Sequence, residues 1–275
     1  CLYPQSKERE MQKDIDTLFG HLWDNYIQVT PSAHKVHQLL GGGAPIINDH
    51  VAFRTYNLPK LGLEKLAAHF RALGYEEKGE YVFKAKKLYA KHFEHKDPDA
   101  PKVFISELKV EELSEGAQAI IHKLVDQVPD HLTDTPAFLY AGAPWQVSHT
   151  DYQTLLAESE YAAWMAAWGY RANHFTVNIN RLKDFDTIQQ VNAALKAAGF
   201  VLNTVGGEVK GDPEVMLEQS STMADKAEVP FSDGVRTIPS CFYEFALRYP
   251  QADGVLYPGF VEASADKIFE STNAM

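Results

Sequence analysis

A strand-like segment that carries a histidine occurs twice in this chain, and the repetition limits the folds open to it. Asp49-His50-Val51-Ala52-Phe53-Arg54-Thr55-Tyr56 is echoed by Asn173-His174-Phe175-Thr176-Val177-Asn178. After the first histidine come Leu58, Lys60 and then Leu73-Gly74-Tyr75. After the second come Leu182, Lys183 and then Ala198-Gly199-Phe200, so the histidine-to-glycine interval differs by one residue. A small-Gly-aromatic run is a common stop signal after a helix, and two ordinary segments can share it by chance. The ordered matches predict instead the duplication of a strand-helix unit. Two strands that each open with a histidine can bring both imidazoles to one metal.

Periodicity places further elements around the repeat. From Gln12 to about Leu40 the apolar positions Ile15, Leu18, Phe19, Leu22 and Trp23 follow helical spacing, and Gly41-Gly42-Gly43 ends the run. A first unit, about 45–110, reads as a strand over 49–56, a helix over 61–73 and strands over 81–88 and 102–108. A helical connection, about 111–170, holds helices over 114–128 and 152–168, the second with Tyr161, Trp164 and Trp168 as packing residues. A second unit, about 171–250, reads as a strand over 173–179, a helix over 185–198 and an aromatic-rich strand over 240–249. The stretch between those last two contains Gly206-Gly207, Gly211-Asp212-Pro213 and the polar run Glu218 to Thr222, and polar loops of that kind often line sites. A C-terminal segment, 251–275, is expected to close the body. Residues 1–10 precede Met11 without an apolar period and read as a non-native or disordered extension, leaving 11–275 as one compact domain.

Composition removes several classes of function. With 275 residues, 45% of them hydrophobic, the chain can bury roughly three quarters of its unfolded surface. No apolar stretch approaches the ~20 residues that span a bilayer, and no leader of charged start and apolar block is present, which predicts a cytoplasmic protein without a membrane partner. Cys1 and Cys241 lie at opposite ends and form no disulfide framework, in keeping with a reducing compartment; Cys241 is expected to be a small buried hydrophobe. A net charge of −11 without clustered Lys and Arg argues against a nucleic-acid partner. An anionic substrate would have to be held by individual arginines in a pocket.

Three positions carry the chemistry. His50 and His174 each supply an imidazole from the first strand of a unit, and Glu244 in Cys-Phe-Tyr-Glu-Phe supplies a carboxylate from the last strand of the second. Two histidines and one carboxylate form a facial triad that leaves positions open on a ferrous ion for a chelating substrate and for O2. Arg54 lies four residues beyond His50, on the same strand face and about 13 Å along it. Its planar fork suits a distal carboxylate. Glu107 in Phe-Ile-Ser-Glu-Leu is read as the matching late-strand position of the first unit, either a displaced ligand or a structural residue. Plainer readings stand beside these: a hydrogen-bonded strand histidine, a glutamate facing water, an arginine in a surface ion pair. His34 with His37, and His92 with His95, lack the added ligands of a zinc signature and are predicted to face solvent. No Gly-x-Gly-x-x-Gly, phosphate-cradling Gly-Lys-Ser/Thr loop or Gly-x-Ser-x-Gly elbow is present.

The segments His-Val-Ala-Phe-Arg-Thr at 50–55, Phe-Ile-Ser-Glu-Leu at 104–108, Asn-His-Phe-Thr at 173–176, Glu-Gln-Ser-Ser-Thr at 218–222, Tyr-Glu-Phe at 243–245 and Ile-Phe-Glu-Ser-Thr at 268–272 form an ordered set. That set resembles the 2-oxoadipate dioxygenase/decarboxylase family, also called 2-hydroxyglutarate synthase, over roughly Met11 to Met275. The resemblance implies an α+β fold of vicinal oxygen chelate type, in which paired βαβββ-type units form a curved mixed β-sheet around a metal site, with additional N-terminal and central helices. It implies Fe(II) held by His50, His174 and Glu244, with Arg54 as the substrate-binding and catalytic arginine. Gln219 is a further candidate for a hydrogen bond to substrate, and the Gly259 to Asp266 loop is a candidate to close the pocket. The implied reaction converts 2-oxoadipate and O2 into 2-hydroxyglutarate and CO2, in lysine breakdown. The chain is shorter than some family members, which leaves substrate length and lid contacts open, as is the oligomeric state, homo-oligomer included. Two other functions fit the residues: a metal-dependent isomerase or lyase of the same scaffold that works without O2, and a non-catalytic protein that binds a small acid.

Overall fold

The computed structural model describes residues 3–273, so Cys1 and the last two residues of the predicted closing segment lie outside the described residues. The predicted N-terminal helical region is two helices, α1 (Tyr3–Val29) and α2 (Ser32–Gly41). Pro31 separates them, because within a continuous helix its ring would clash with a carbonyl and remove a hydrogen bond. Residues 3–10, read from sequence as an extension, continue α1. Ile15, Leu18, Leu22 and Tyr26 are buried at helical spacing. Beyond α2, Gly42 takes φ 58, a left-handed conformation that glycine adopts without steric cost.

The first unit follows as β1 (Asn48–Tyr56), α3 (Leu63–Arg71), β2 (Glu76–Phe83), β3 (Leu88–Glu94) and β4 (Lys102–Leu108). The single strand predicted over 81–88 is in fact the end of β2, a turn and the start of β3. Lys87 makes that turn at φ 62, so no glycine or proline announces it. Next come α4 (Glu115–Val125), α5 (His149–Glu158) and α6 (Glu160–Trp168). The helix predicted over 152–168 is broken at Ser159, which is extended and caps α6 by accepting the Ala162 N–H. Tyr161, Trp164 and Trp168 of α6 are buried, as predicted.

The second unit comprises β5 (His174–Asn178), α7 (Ile188–Ala197), β6 (Lys210–Asp212) and β7 (Leu217–Ser221), then a separate hairpin of β8 (Lys226–Phe231) and β9 (Gly234–Pro239), and β10 (Phe242–Arg248). A reciprocal capping box between Thr187 and Gln190 starts α7 three residues later than the apolar pattern predicts. The chain closes with α8 (Glu262–Ile268).

Eight strands form one curved mixed sheet in the order β2-β3-β4-β1-β5-β10-β7-β6. Outward from the centre, β1-β4-β3-β2 and β5-β10-β7-β6 correspond strand for strand. Each half has a parallel pair at its inner edge, β1 with β4 and β5 with β10, and the halves join through antiparallel β1 and β5. Duplication of one unit accounts for this symmetry, and the expected α+β fold of paired βαβββ-type units is what forms. The inserted β8–β9 hairpin lies outside the main sheet.

Helices α1 and α3 support β1 from the face opposite His50. Phe70 of α3 packs against Phe53 of β1 and Phe19 of α1, with ring centroids 5.4 and 6.2 Å apart. Burying each such ring contributes about 1.5–3 kcal/mol, which fixes the strand that carries His50 and Arg54. Among the described residues no helix is long and apolar enough to cross a membrane.

Candidate metal centre

His50, His174 and Glu244 open or occupy the three adjacent central strands, and the fold brings them together. One ligand atom from each lies within 4.8 Å of the others, and all three residues are buried. The Nε2 atoms of His50 and His174 stand 2.6 and 2.9 Å from Glu244 Oε2. Their rings meet edge to face at 5.6 Å. Thr176, in register with Glu244 across β5 and β10, donates its hydroxyl to Glu244 Oε2 at 2.8 Å and lies 3.0 Å from His50 Nε2.

The residue before each histidine holds its other ring nitrogen. Asp49 Oδ2 lies 2.8 Å from His50 Nδ1, and Asn173 Oδ1 lies 2.7 Å from His174 Nδ1. An acceptor at Nδ1 keeps the proton there and turns the Nε2 lone pair inward, the arrangement that metal-binding imidazoles require. Pairing of β1 with β5 shifts register between Asn48 and Val51, and a local irregularity of that kind re-aims side chains. Arg248 braces Asp49 through both carboxylate oxygens, at 2.8 and 3.1 Å.

Three electron-pair donors converging in a buried place need a cation between them. Burial alone would lower His50, but the Glu244 and Asp49 carboxylates outweigh it and raise the imidazole to about 9. For Glu244, burial pushes upward, yet the two imidazoles hold the carboxyl well below its ordinary range. His174 is lowered by burial, with Glu244 opposing. Without metal, a single proton on His50 is the positive charge at this point. A divalent ion fits the same donor set better, since two imidazole nitrogens and a carboxylate suit a transition metal.

Arg54 lines the same cavity, buried, on the strand face shared with His50. Its Nη2 donates to Thr272 Oγ1 at 3.1 Å, while Nε and Nη1 have no hydrogen-bond partner among the described residues. Glu160 Oε2 is 3.9 Å from Nη1, beyond hydrogen-bonding distance. The guanidinium rests on Trp164 and Tyr161 at 4.8 and 5.0 Å from the ring centres. Unpartnered N–H groups on a buried cation make a place for an anionic oxygen. Free space in the cavity is about 30 Å³, room for a water or two. Phe260, Ala265, Ile268 and Phe269 supply one wall of it from a single C-terminal segment. The predicted closing loop is only partly a loop, because α8 begins at Glu262.

Two sequence readings need correction. Strand register pairs Ala52 with Phe104 and Thr176 with Glu244, so Phe104, not Glu107, is the first unit's counterpart of Glu244. Glu107 accepts the Leu63 N–H at 2.7 Å, at the start of α3. Glu107→Ala is expected to cost roughly 1 kcal/mol in a denaturation curve, as losing a helix cap does, while metal affinity stays at the wild-type value. His92, predicted to face solvent, is buried between Tyr81 and Glu94, at 2.8 and 2.7 Å. Gln219 lines the cavity but spends its amide N–H on Glu244 Oε1 at 2.5 Å, leaving its own Oε1 without a partner. Sequence reasoning missed Asp49, Asn173, Thr176 and Arg248, and reached Phe260 only as part of the Gly259 to Asp266 loop. Of these, Asp49 and Asn173 had a signal, a polar residue directly before each repeated histidine. Cys241 is free and buried, as expected.

Comparison with known proteins gives this geometry a context. The sequence profile of the 2-oxoadipate dioxygenase/decarboxylase family matches residues 10–143 and 137–254. The chloroplastic/amyloplastic 2-oxoadipate dioxygenase/decarboxylase of Oryza sativa subsp. japonica is 35% identical over 301 residues, covering 98% of this chain and 83% of the relative. A crystal structure of the Oryza sativa hydroxyglutarate synthase in complex with 2-oxoadipate has a TM-score of 0.88 at 35% identity, covering 96% of this chain and 93% of that one. A Shewanella frigidimarina crystal structure with a provisional hydrolase description is 63% identical, with a TM-score of 0.88, covering 90% of this chain and 98% of that one. Sequence, fold and paired-strand site agree: the chain belongs to the 2-oxoadipate dioxygenase/decarboxylase family.

Proposed function

We propose that this chain is an Fe(II)-dependent dioxygenase/decarboxylase that converts 2-oxoadipate and O2 into 2-hydroxyglutarate and CO2. The observation that carries the reading is one cavity lined by His50, His174 and Glu244 and, four residues along the strand from His50, by Arg54 with two unpartnered nitrogens. A 2-oxo diacid has matching ends, a 2-oxo carboxylate and a distal carboxylate. The Oryza sativa structure with 2-oxoadipate supports this choice of substrate. A cytoplasmic location and a place in lysine breakdown belong to the same proposal.

In this reading His50, His174 and Glu244 hold the iron. Bound iron supplies the Lewis acidity that grips a 2-oxo acid and the electrons that let O2 react with a closed-shell molecule. Arg54 sets the orientation by pairing with the distal carboxylate, and Trp164, Tyr161 and Phe269 hold its guanidinium from behind. Asp49 and Asn173 fix the imidazoles, and Gln219 and Thr176 fix the carboxylate. Phe104, Phe242 and Phe260 keep water from the reacting end. Atoms balance without a co-substrate: both oxygen atoms of O2 enter the five-carbon product, and the original C1 carboxylate leaves as CO2.

The test is O2 uptake by metal-stripped protein reloaded anaerobically with Fe(II), given 2-oxoadipate and, for comparison, 2-oxoglutarate. Equimolar O2 uptake and CO2 release with 2-hydroxyglutarate as product is the expected result. Turnover of the acid under argon would instead select a hydrolase, lyase or isomerase on the same metal, and ligand binding without any turnover would select a small-acid-binding protein.

A further inference from the structure

We infer that Arg248 is a positioning residue that fastens the metal-holding His50 and the cavity-closing segment around Phe260 to one another through a single guanidinium. The inference rests on the proposed reading of His50 as a metal ligand. Arg248 ends β10 and is 4% exposed. On one side, Nε donates to Asp49 Oδ1 at 2.8 Å and Nη2 to Asp49 Oδ2 at 3.1 Å. That same Oδ2 holds His50 Nδ1 at 2.8 Å. On the other side, Nη1 donates to the carbonyls of Tyr257 at 2.8 Å and Gly259 at 2.6 Å.

Phe260 follows directly. Its ring covers the Arg248 guanidinium at 5.1 Å and meets the His50 ring edge to face at 4.9 Å, so it lies against both ends of the relay. All three guanidinium nitrogens are spent, two on the support of a metal-binding imidazole and one on two backbone carbonyls of the closing segment. Arginine suits this because its planar fork projects donors in divergent directions. Lysine offers three donors from one point and cannot serve a carboxylate and two carbonyls on opposite sides. The buried Asp49 carboxylate also needs the Arg248 charge, since an uncompensated buried charge is strongly unfavourable.

A second tie to the segment provides the control. Phe260 N–H donates to Tyr81 Oη at 3.2 Å, and that hydroxyl also meets His92 Nδ1 at 2.8 Å. Tyr81 thus grips the segment from its other side. If Arg248 serves the segment alone, loosening it should resemble loosening Tyr81. If it joins segment and metal centre, its loss should reach His50 as well.

The experiment uses the full chain, with Zn(II) affinity read by chelator competition and amide hydrogen exchange of residues 255–261 read by mass spectrometry. Tyr81→Phe is expected to speed exchange in that segment and leave zinc affinity near wild type. Arg248→Lys is expected to speed the same exchange and also lower zinc affinity by about 10- to 100-fold, the usual cost of losing support behind a ligand. Asp49→Asn, nearly isosteric, is expected to speed exchange in 255–261 through Arg248. Wild-type zinc affinity in Arg248→Lys overturns the inference. If that variant does not fold, unchanged segment exchange in Asp49→Asn overturns it instead. Neither readout needs turnover, and His50→Ala with undiminished zinc binding would show that the metal reading, not the relay, has failed.

Discussion

Glu244→Gln is expected to remove metal binding and turnover together while leaving the fold in place. The substitution preserves shape and volume and deletes one negative charge at the point where His50 and His174 converge. A neutral amide oxygen is a poor exchange for a carboxylate, and the donor set loses its one negative charge. The loss in metal affinity should exceed about 100-fold, the upper end for residues that only support a ligand. The fold should survive because the new amide can donate to an imidazole Nε2 and still occupy the place between Thr176 and Gln219. Chelator competition and an O2 electrode read the two losses, and circular dichroism reads the fold. A variant that bound metal as tightly as wild type would remove Glu244 from the ligand set. Glu107→Gln, on the analogous strand but at the wrong register, should leave both readouts unchanged.

That contrast between Glu107 and Glu244 shows where sequence reasoning stops. Features set by local chain chemistry were legible: the repeated histidine strands, the helices that end at Gly74 and Gly199, and the shared face of His50 and Arg54. Strand alternation alone puts residues 50 and 54 on one side. Glu107 was misplaced because its position was counted from the end of a strand, whereas the true counterpart is fixed by pairing between β1 and β4, which no local pattern states. The β2–β3 turn escaped notice because Lys87 takes a left-handed conformation that sequence ordinarily assigns to glycine or asparagine. Asp49 and Asn173 were passed over for a different reason. On a regular strand, adjacent side chains point to opposite faces, so neighbours of the histidines look excluded from the site. The register shift near Asp49 sets that rule aside. Arg248 and Phe260 lie 198 and 210 residues from His50 in the chain, and only the closed sheet brings them near it.

The second large effect concerns which acid the enzyme accepts. Arg54→Ala should reduce kcat/KM for 2-oxoadipate by on the order of 2–5 kcal/mol, the cost of truncating one partner of a buried charge pair. That corresponds to roughly 30-fold to several-thousand-fold. A monocarboxylic 2-oxo acid of the same length presents no charge to Arg54, so its kcat/KM should change little. It could even rise, because the wild-type site leaves two N–H groups unsatisfied against its methyl end. Arg54→Lys should fall between, since the ammonium keeps the charge but loses the two-pronged geometry and the stacking on Trp164 and Tyr161. Removing Arg54 also takes away the cation that opposes the upward push of burial on Glu160, which should become harder to ionise. Metal affinity measured in parallel separates specificity from damage to the centre, because Arg54 makes no contact with a ligand atom in the hydrogen bonds described. Equal losses for the two acids would remove Arg54 from its role as the reader of the distal carboxylate.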